Sequence, residues 1–245
     1  MPQATYTFYP VVETYRKHAP SDRKRGGSLS MSIRYGVSLL TDPDFTARAY
    51  RARQLICGQY ACWAAEMHML HMPMSDYFPL DAGEAGATEA QLAAELATLA
   101  DRYRRVSPRF PIFNRGITTT RTSESDGNIW IDFSPEVVNE SLYRLQSMVV
   151  DLLERNPAVS CERRVFGSDF PPQIPLMSHA DLPDSVFDSA LDFARAITDD
   201  LKVSQITRAW RLTLTRFESN AAGEDWSGGR WATDLSWQAI GSYSL

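Results

Sequence analysis

The chain has 245 residues, 44% hydrophobic and 22% charged, with a formal net charge of −5. That balance belongs to an ordinary globular protein and excludes a general nucleic-acid binder, which needs a strong basic excess. No apolar run approaches the roughly 20 residues that span a bilayer, and the first residues lack the apolar centre of a signal peptide, so a cytoplasmic protein with no membrane partner is expected.

Residues 1–30 differ from the rest. They carry Lys17, Arg23, Lys24 and Arg25, then Gly26-Gly27-Ser28. This composition reads as a flexible N-terminal arm ahead of one domain over 31–245. In 33–40, Ile33, Tyr35, Val37 and Leu39 alternate and predict a strand. Asp42-Pro43 then opens a helix with Phe45, Ala49, Ala52 and Ile56 on its buried stripe. Arg48, Arg51 and Arg53 are read as the solvated face of that helix.

A second strand is expected over 66–74. A loop around Gly83 and Gly86 precedes a helix capped by Thr88 and Gln91. Leu92, Leu96, Leu99 and Tyr103 form its stripe. Strands over 111–121 and 128–133 flank Asp126-Gly127, a hairpin signal. Ser134-Pro135 opens the next helix, with Leu142, Leu145, Val149 and Leu152 inward. A strand near 172–178 leads to a helix from Leu182-Pro183, with Val186, Phe187, Ala190, Phe193 and Ile197 inward. A strong strand spans 206–217, and the tail with Trp226, Trp231 and Trp237 adds a last hairpin. Trp226, Trp231 and Trp237 either stack on a ligand or cap the core.

The three cysteines, Cys57, Cys62 and Cys161, are odd in number and lack CxxC spacing. A disulfide framework and a zinc site are therefore not expected. No Gly-rich phosphate loop follows a strand, so no nucleotide cofactor is expected either. The element order predicts an α+β fold of two lobes. Duplicated β-α-β-type units place mainly antiparallel sheets toward a central cleft, with helices outside.

Tyr35-Gly36-Val37-Ser38-Leu39, the following helix, and Glu66-Met67-His68-Met69-Leu70-His71 resemble the opening of the 2H phosphoesterases. This family includes RNA 2′,5′-ligase-like proteins and cyclic phosphodiesterases. Pro172-Gln173-Ile174-Pro175-Leu176, followed by Asp181-Leu182-Pro183, resembles the frame of its second motif. The resemblance implies that the cleft-lining strands present paired His-x-Thr/Ser motifs, one histidine acting as base and the other as acid. Here the first motif has His68 but Leu70 in place of the hydroxyl. The second has Gln173 for the histidine and Pro175 for the hydroxyl. Glutamine does not titrate, and loss of a general acid or base costs roughly 10²–10⁴ in rate.

His68 is the first catalytic candidate, set against a hydrogen-bonded strand histidine with no role. His71 is expected on the opposite strand face, packed outward under a helix. His179 substitutes for the missing histidine if the strand end bends into the cleft; otherwise it is a turn histidine paired with a local carboxylate. Leu70, Met72, Gln173, Pro175, Tyr35 and Arg115 are the candidate ligand contacts. The methionines at 67, 69, 72 and 74 either line an adaptable apolar pocket or fill the core. Arg34, Arg115, Arg121 and Arg211 are the candidate anion contacts.

Three functions fit. The first is a 2H-like protein redirected to a small-molecule reaction, a biosynthetic step among them, or to binding of a ligand with a hydrophobic body. The second is a phosphoesterase acting on a small phosphodiester. The third is a non-catalytic partner-binding protein.

Overall fold

The computed structural model describes residues 31–80, 85–121, 126–159, 171–221, 226 and 229–245, with no side-chain description for 85–87. The arm over 1–30, Gly83 and Cys161 lie outside the described residues. The fold is α+β, with two antiparallel sheets and four α-helices among the described residues. No described helix is long and apolar enough to cross a membrane.

Strand β7 (Ile206–Ser219) organises the larger sheet. On one side it pairs along nearly its whole length with β1 (Ser32–Thr41). Its other side takes β8 (Ser236–Ser244) and, near its start, β3 (Pro111–Phe113). The two-residue strand β2 (Met72–Pro73) completes the sheet beside β1. Strands β4 (Ile117–Arg121), β5 (Gly127–Asp132) and β6 (Gln173–Ala180) form the second sheet. The larger sheet thus draws strands from both ends of the chain, rather than each half forming its own.

The register of β1 on β7 separates two faces. Val37 opposite Leu214 and Leu39 opposite Leu212 share one face, because residues two apart point the same way. That face packs into the main core with α2 (Ala85–Val106), which contributes Leu92, Leu96 and Leu99. Phe217, on the other face, belongs to a smaller cluster with Ala221, Trp226, Trp231 and Leu235.

Helix α1 (Pro43–Tyr60) starts as its sequence dictates. The Asp42 carboxylate accepts the Phe45 N–H at 3.0 Å, with proline in the first turn. Arg53 departs from expectation: it is fully buried, not solvated. Helix α2 begins at Ala85, so Thr88 lies inside it rather than at its cap. The strand expected over 111–121 is two strands in two sheets, parted at Gly116, whose φ of +99° only glycine adopts readily. Ser134-Pro135 leads into a short 3-10 turn, and helix α3 (Glu140–Arg155) starts later. The buried Asn139 side chain before it is occupied by Phe113 N–H, Phe113 O and Phe133 O instead of capping the helix. In α4 (Asp184–Asp200), Phe187 and Ala190 are buried but Val186 is exposed.

The strand expected over 66–74 is the largest difference. Residues Ala64–Met67 form a 3-10 turn, and only Met72–Pro73 pair as strand. The period-two assignment of His68 and His71 to opposite faces therefore fails, because the chain between them is not a regular strand.

Candidate functional site

His68 and His71 come together instead of diverging. Their rings lie 4.9 Å apart, centroid to centroid, at 62°. Both Nδ1 atoms sit on the Met69 carbonyl, at 3.1 Å from His68 and 2.8 Å from His71. A carbonyl only accepts, so Nδ1 carries the proton in each ring and Nε2 the lone pair. Both residues are buried, at 6% and 5% exposure. Burial, the neighbouring His71, and then Arg53 and His179 bring the His68 pKa down to about 3, against the Met69 bond that raises it. Burial and Arg53 likewise bring His71 down to about 4, again against its Met69 bond. Both rings are neutral at physiological pH.

Arg53 fixes this pocket from α1. Its Nε donates to Glu66 Oε1 at 2.9 Å and its Nη2 to the His68 carbonyl at 2.9 Å. The 3-10 turn and His68 are thereby tied to one buried guanidinium. Its Nη1 is buried with no hydrogen-bond partner among the described residues.

His179 reaches the same neighbourhood from β6. Its φ of +50° places it in the left-handed region, which non-glycine residues adopt at a cost. The Asn128 side chain from β5 holds it there: its Oδ1 accepts the His179 backbone N–H at 3.0 Å. His179 Nδ1 lies 2.9 Å from Asp126 Oδ1, and Asn128 Nδ2 donates to the same carboxylate oxygen at 3.2 Å. Asp126, Asn128 and His179 thus form a closed triangle. The His179 side chain keeps 24% of its exposure, so water reaches it. Gly229, with φ +72°, packs on the ring so closely that a Cβ there would fall 2.4 Å from its carbons.

The indole of Trp231 borders both sites. It lies 5.6 Å from the His68 ring and 5.8 Å from the His179 ring, the latter edge-on at 85°. Sequence reading named Trp231 only as one of several tail aromatics. It missed Asn128 altogether and read Asp126 as a turn residue. The one available signal was the Asp126-Gly127-Asn128 run at a hairpin, which puts a carboxylate and an amide two residues apart at the start of β5.

The other candidates separate from this centre. Leu70 and Met72 are buried in the main core. Tyr35 also belongs there, its hydroxyl donating to Glu89 Oε2 at 2.9 Å and its pKa pushed up to about 12 by burial and that carboxylate. Gln173 opens β6 opposite Asp132, and Pro175 is buried opposite Trp130. Six residues of strand place Gln173 about 20 Å from His179, so the two cannot serve one point. Arg115 is paired with Asp132, Arg121 with Asp184, and Arg211 with Ser242 of β8. A cavity of about 590 Å³ lies elsewhere, between α2 and α3, lined by Arg102, Met148 and Asn156 among others.

Three solved structures are similar over most of the chain. The crystal structure of E. coli LigT complexed with 3′-AMP has a TM-score of 0.47 and 14% identity, covering 86% of this chain and 97% of that one. A crystal structure described as a phosphoesterase gives 0.46 and 13%, covering 87% and 99%. The structure of Kluyveromyces marxianus Usb1 gives 0.40 and 13%, covering 87% and 98%. No family model and no curated protein matches the chain. The chain is similar to these three proteins along most of its length, and what its own site does is read from His68, His71, His179 and Asp126.

Proposed function

We propose that this chain acts on a small molecule with an apolar body, moving one proton with His179, rather than cleaving phosphodiesters. The observation that carries this reading is the His179–Asp126 pair at 2.9 Å beside two histidines held neutral. With Nδ1–H directed at the carboxylate, Nε2 is the basic atom of His179, and Asp126 stabilises the imidazolium formed when that atom takes a proton. His68 is the hydrogen-bond acceptor of the site through its Nε2.

Phosphodiester cleavage by paired histidines needs one of them protonated. With its pKa near 3, His68 does not supply that acid at neutral pH, so in that chemistry His68 is confined to the base role and the acid role falls to His179 beside Asp126. The neighbouring guanidinium of Arg53 is bound to Glu66 and the His68 carbonyl inside the protein, and the aromatic surroundings of Trp231 favour an apolar ligand over a phosphate. The phosphoesterase reading keeps one observation in its favour: His68 and His179 border the same indole.

The test is a paired panel. Enolisable apolar carbonyl compounds are followed by mass spectrometry for deuterium uptake from solvent, and 2′,3′-cyclic nucleotides and linear phosphodiesters for turnover. Deuterium uptake that His179→Gln lowers by roughly 10²–10⁴ is the expected result. Cyclic-nucleotide turnover that both His68→Ala and His179→Gln abolish would replace this reading with the phosphoesterase one.

A further inference from the structure

Trp231 sits in a 3-10 turn, Arg230–Thr233, on the connection from β7 to β8. It is 3% exposed, yet it belongs to the small cluster with Phe217, Ala221, Trp226 and Leu235 rather than to the main core. Three rings pack on its indole: His68 at 5.6 Å, His179 at 5.8 Å and Tyr77 at 6.2 Å. Its one polar atom, Nε1, donates to the Trp226 carbonyl at 2.9 Å. The space it fills is a flat slot bordered by aromatic and imidazole rings, with the Trp226 carbonyl accepting at its edge.

We propose that this slot is a ligand site whose occupant in this structure is Trp231, and that the ligand is a planar aromatic molecule with a hydrogen-bond donor on its edge. The proposal rests on the reading of His179 as the proton-transfer group and names the substrate class of that same site.

Three features argue for exchange rather than permanent filling. The Trp231 cluster is small, and such satellite clusters open at lower cost than a main core. Gly229, immediately before the turn, packs directly on His179, so movement of the turn uncovers His179 and His68 together. The walls that hold the indole do so edge-to-face and tilted, a geometry that suits any flat ring and carries no requirement for the chain that bears it. A free ligand of that shape competes with the tethered side chain by mass action.

The experiment uses the full chain and indole as probe. Calorimetry gives the affinity of wild type and of Trp231→Ala, and histidine ring signals in NMR report the site. Removing the internal competitor raises the fraction of open sites, so Trp231→Ala is expected to bind indole about 10-fold more tightly than wild type or better. In both proteins indole is expected to move the His68 and His179 signals. His179→Gln removes one ring from the slot, so it is expected to weaken indole binding modestly while lowering deuterium uptake by roughly 10²-fold or more.

Indole binding confined to Trp231→Ala, with wild-type histidine signals unmoved up to the solubility of indole, would mean that indole merely refills a core hole, and the proposal falls. The wild-type signals decide alone if Trp231→Ala does not fold. Indole that moves both histidines in wild type while His179→Gln still takes up deuterium leaves the slot standing and sinks the proton-transfer reading alone.

Discussion

His68 and His179 border the same tryptophan, yet the fold treats them oppositely. His68 is buried beside a second histidine and a guanidinium, with a backbone carbonyl on its Nδ1. His179 is partly exposed, with a carboxylate on its Nδ1 and a left-handed backbone to hold it there. A histidine without a counter-charge in a dry pocket stays neutral and acts as a structural or hydrogen-bonding group. One with a carboxylate on Nδ1 and access to water presents its Nε2 to solvent and ligand. The two environments differ in partner and hydration, not in residue type.

The strongest way to break the comparison is at Arg53. Its side chain is fully buried, and Arg53→Met removes the partner of Glu66 and the donor to the His68 carbonyl while keeping most of the volume. Breaking a buried pair from one side costs about 3–5 kcal/mol, and urea unfolding of the variant is expected to show a loss of that size. A loss no larger than that of an exposed pair would mean the His68 pocket does not depend on Arg53.

Acid sharpens the same contrast. His68 and His71 titrate near 3 and 4 when folded, below the ordinary 6.5. The unfolded chain therefore binds more protons than the folded one across that interval. Stability is full above about pH 6.5 and falls as pH drops toward 4 and then 3, with a slope of about 2–3 kcal/mol per pH unit while both histidines contribute. Urea midpoints between pH 7.5 and 5 measure it. His68→Gln is expected to remove about half of the slope, and a flat wild-type profile would show that these rings charge freely in the folded state.

On the His179 side the effect is smaller. Gly229→Ala puts a Cβ into the His179 ring and an L side chain at φ +72°. The expected cost is about 1–3 kcal/mol, read by thermal unfolding and accompanied by movement of the His179 ring signals. An unchanged midpoint with unmoved signals would show that the turn and ring are not in register.

Much of the fold could be read where local chemistry decides. Asp42-Pro43 starts α1, Asp126-Gly127 marks the β4–β5 hairpin, and alternating apolar residues mark β1 and β7. Reading failed where tertiary contacts override the local pattern. Arg53 has a helix-surface spacing, but Glu66 and the His68 carbonyl, both beyond the end of α1, draw it inside. His68 and His71 look like alternating strand residues, but the 3-10 turn before them rotates both rings toward Met69 O. At the site, His68 and His179 were visible as residue types, with a local carboxylate as one reading of His179. The identity of that carboxylate was not legible, because Asp126 is 53 positions away and is brought in only by pairing of β5 with β6.

Asn128 gives the finest test of how that pairing sets the chemistry. It is 7% exposed and uses both ends of its amide: Oδ1 accepts the His179 N–H, and Nδ2 donates to Asp126 Oδ1. Asn128→Ala deletes both bonds and is expected to cost about 1–2 kcal/mol, typical of a buried hydrogen-bonding group left without its partner. Asn128→Asp keeps the acceptor for the His179 backbone but sets a second carboxylate beside Asp126. The nitrogen shifts of the His179 ring distinguish the two roles. If Asn128 positions the dyad, Asn128→Ala mixes the ring tautomers that wild type holds as Nδ1–H, while Asn128→Asp keeps the backbone in place and leaves Nδ1 protonated. If Asn128→Ala keeps a single Nδ1–H tautomer despite the lost stability, then Asp126 alone orients the ring, and the amide serves only to hold the left-handed backbone of His179.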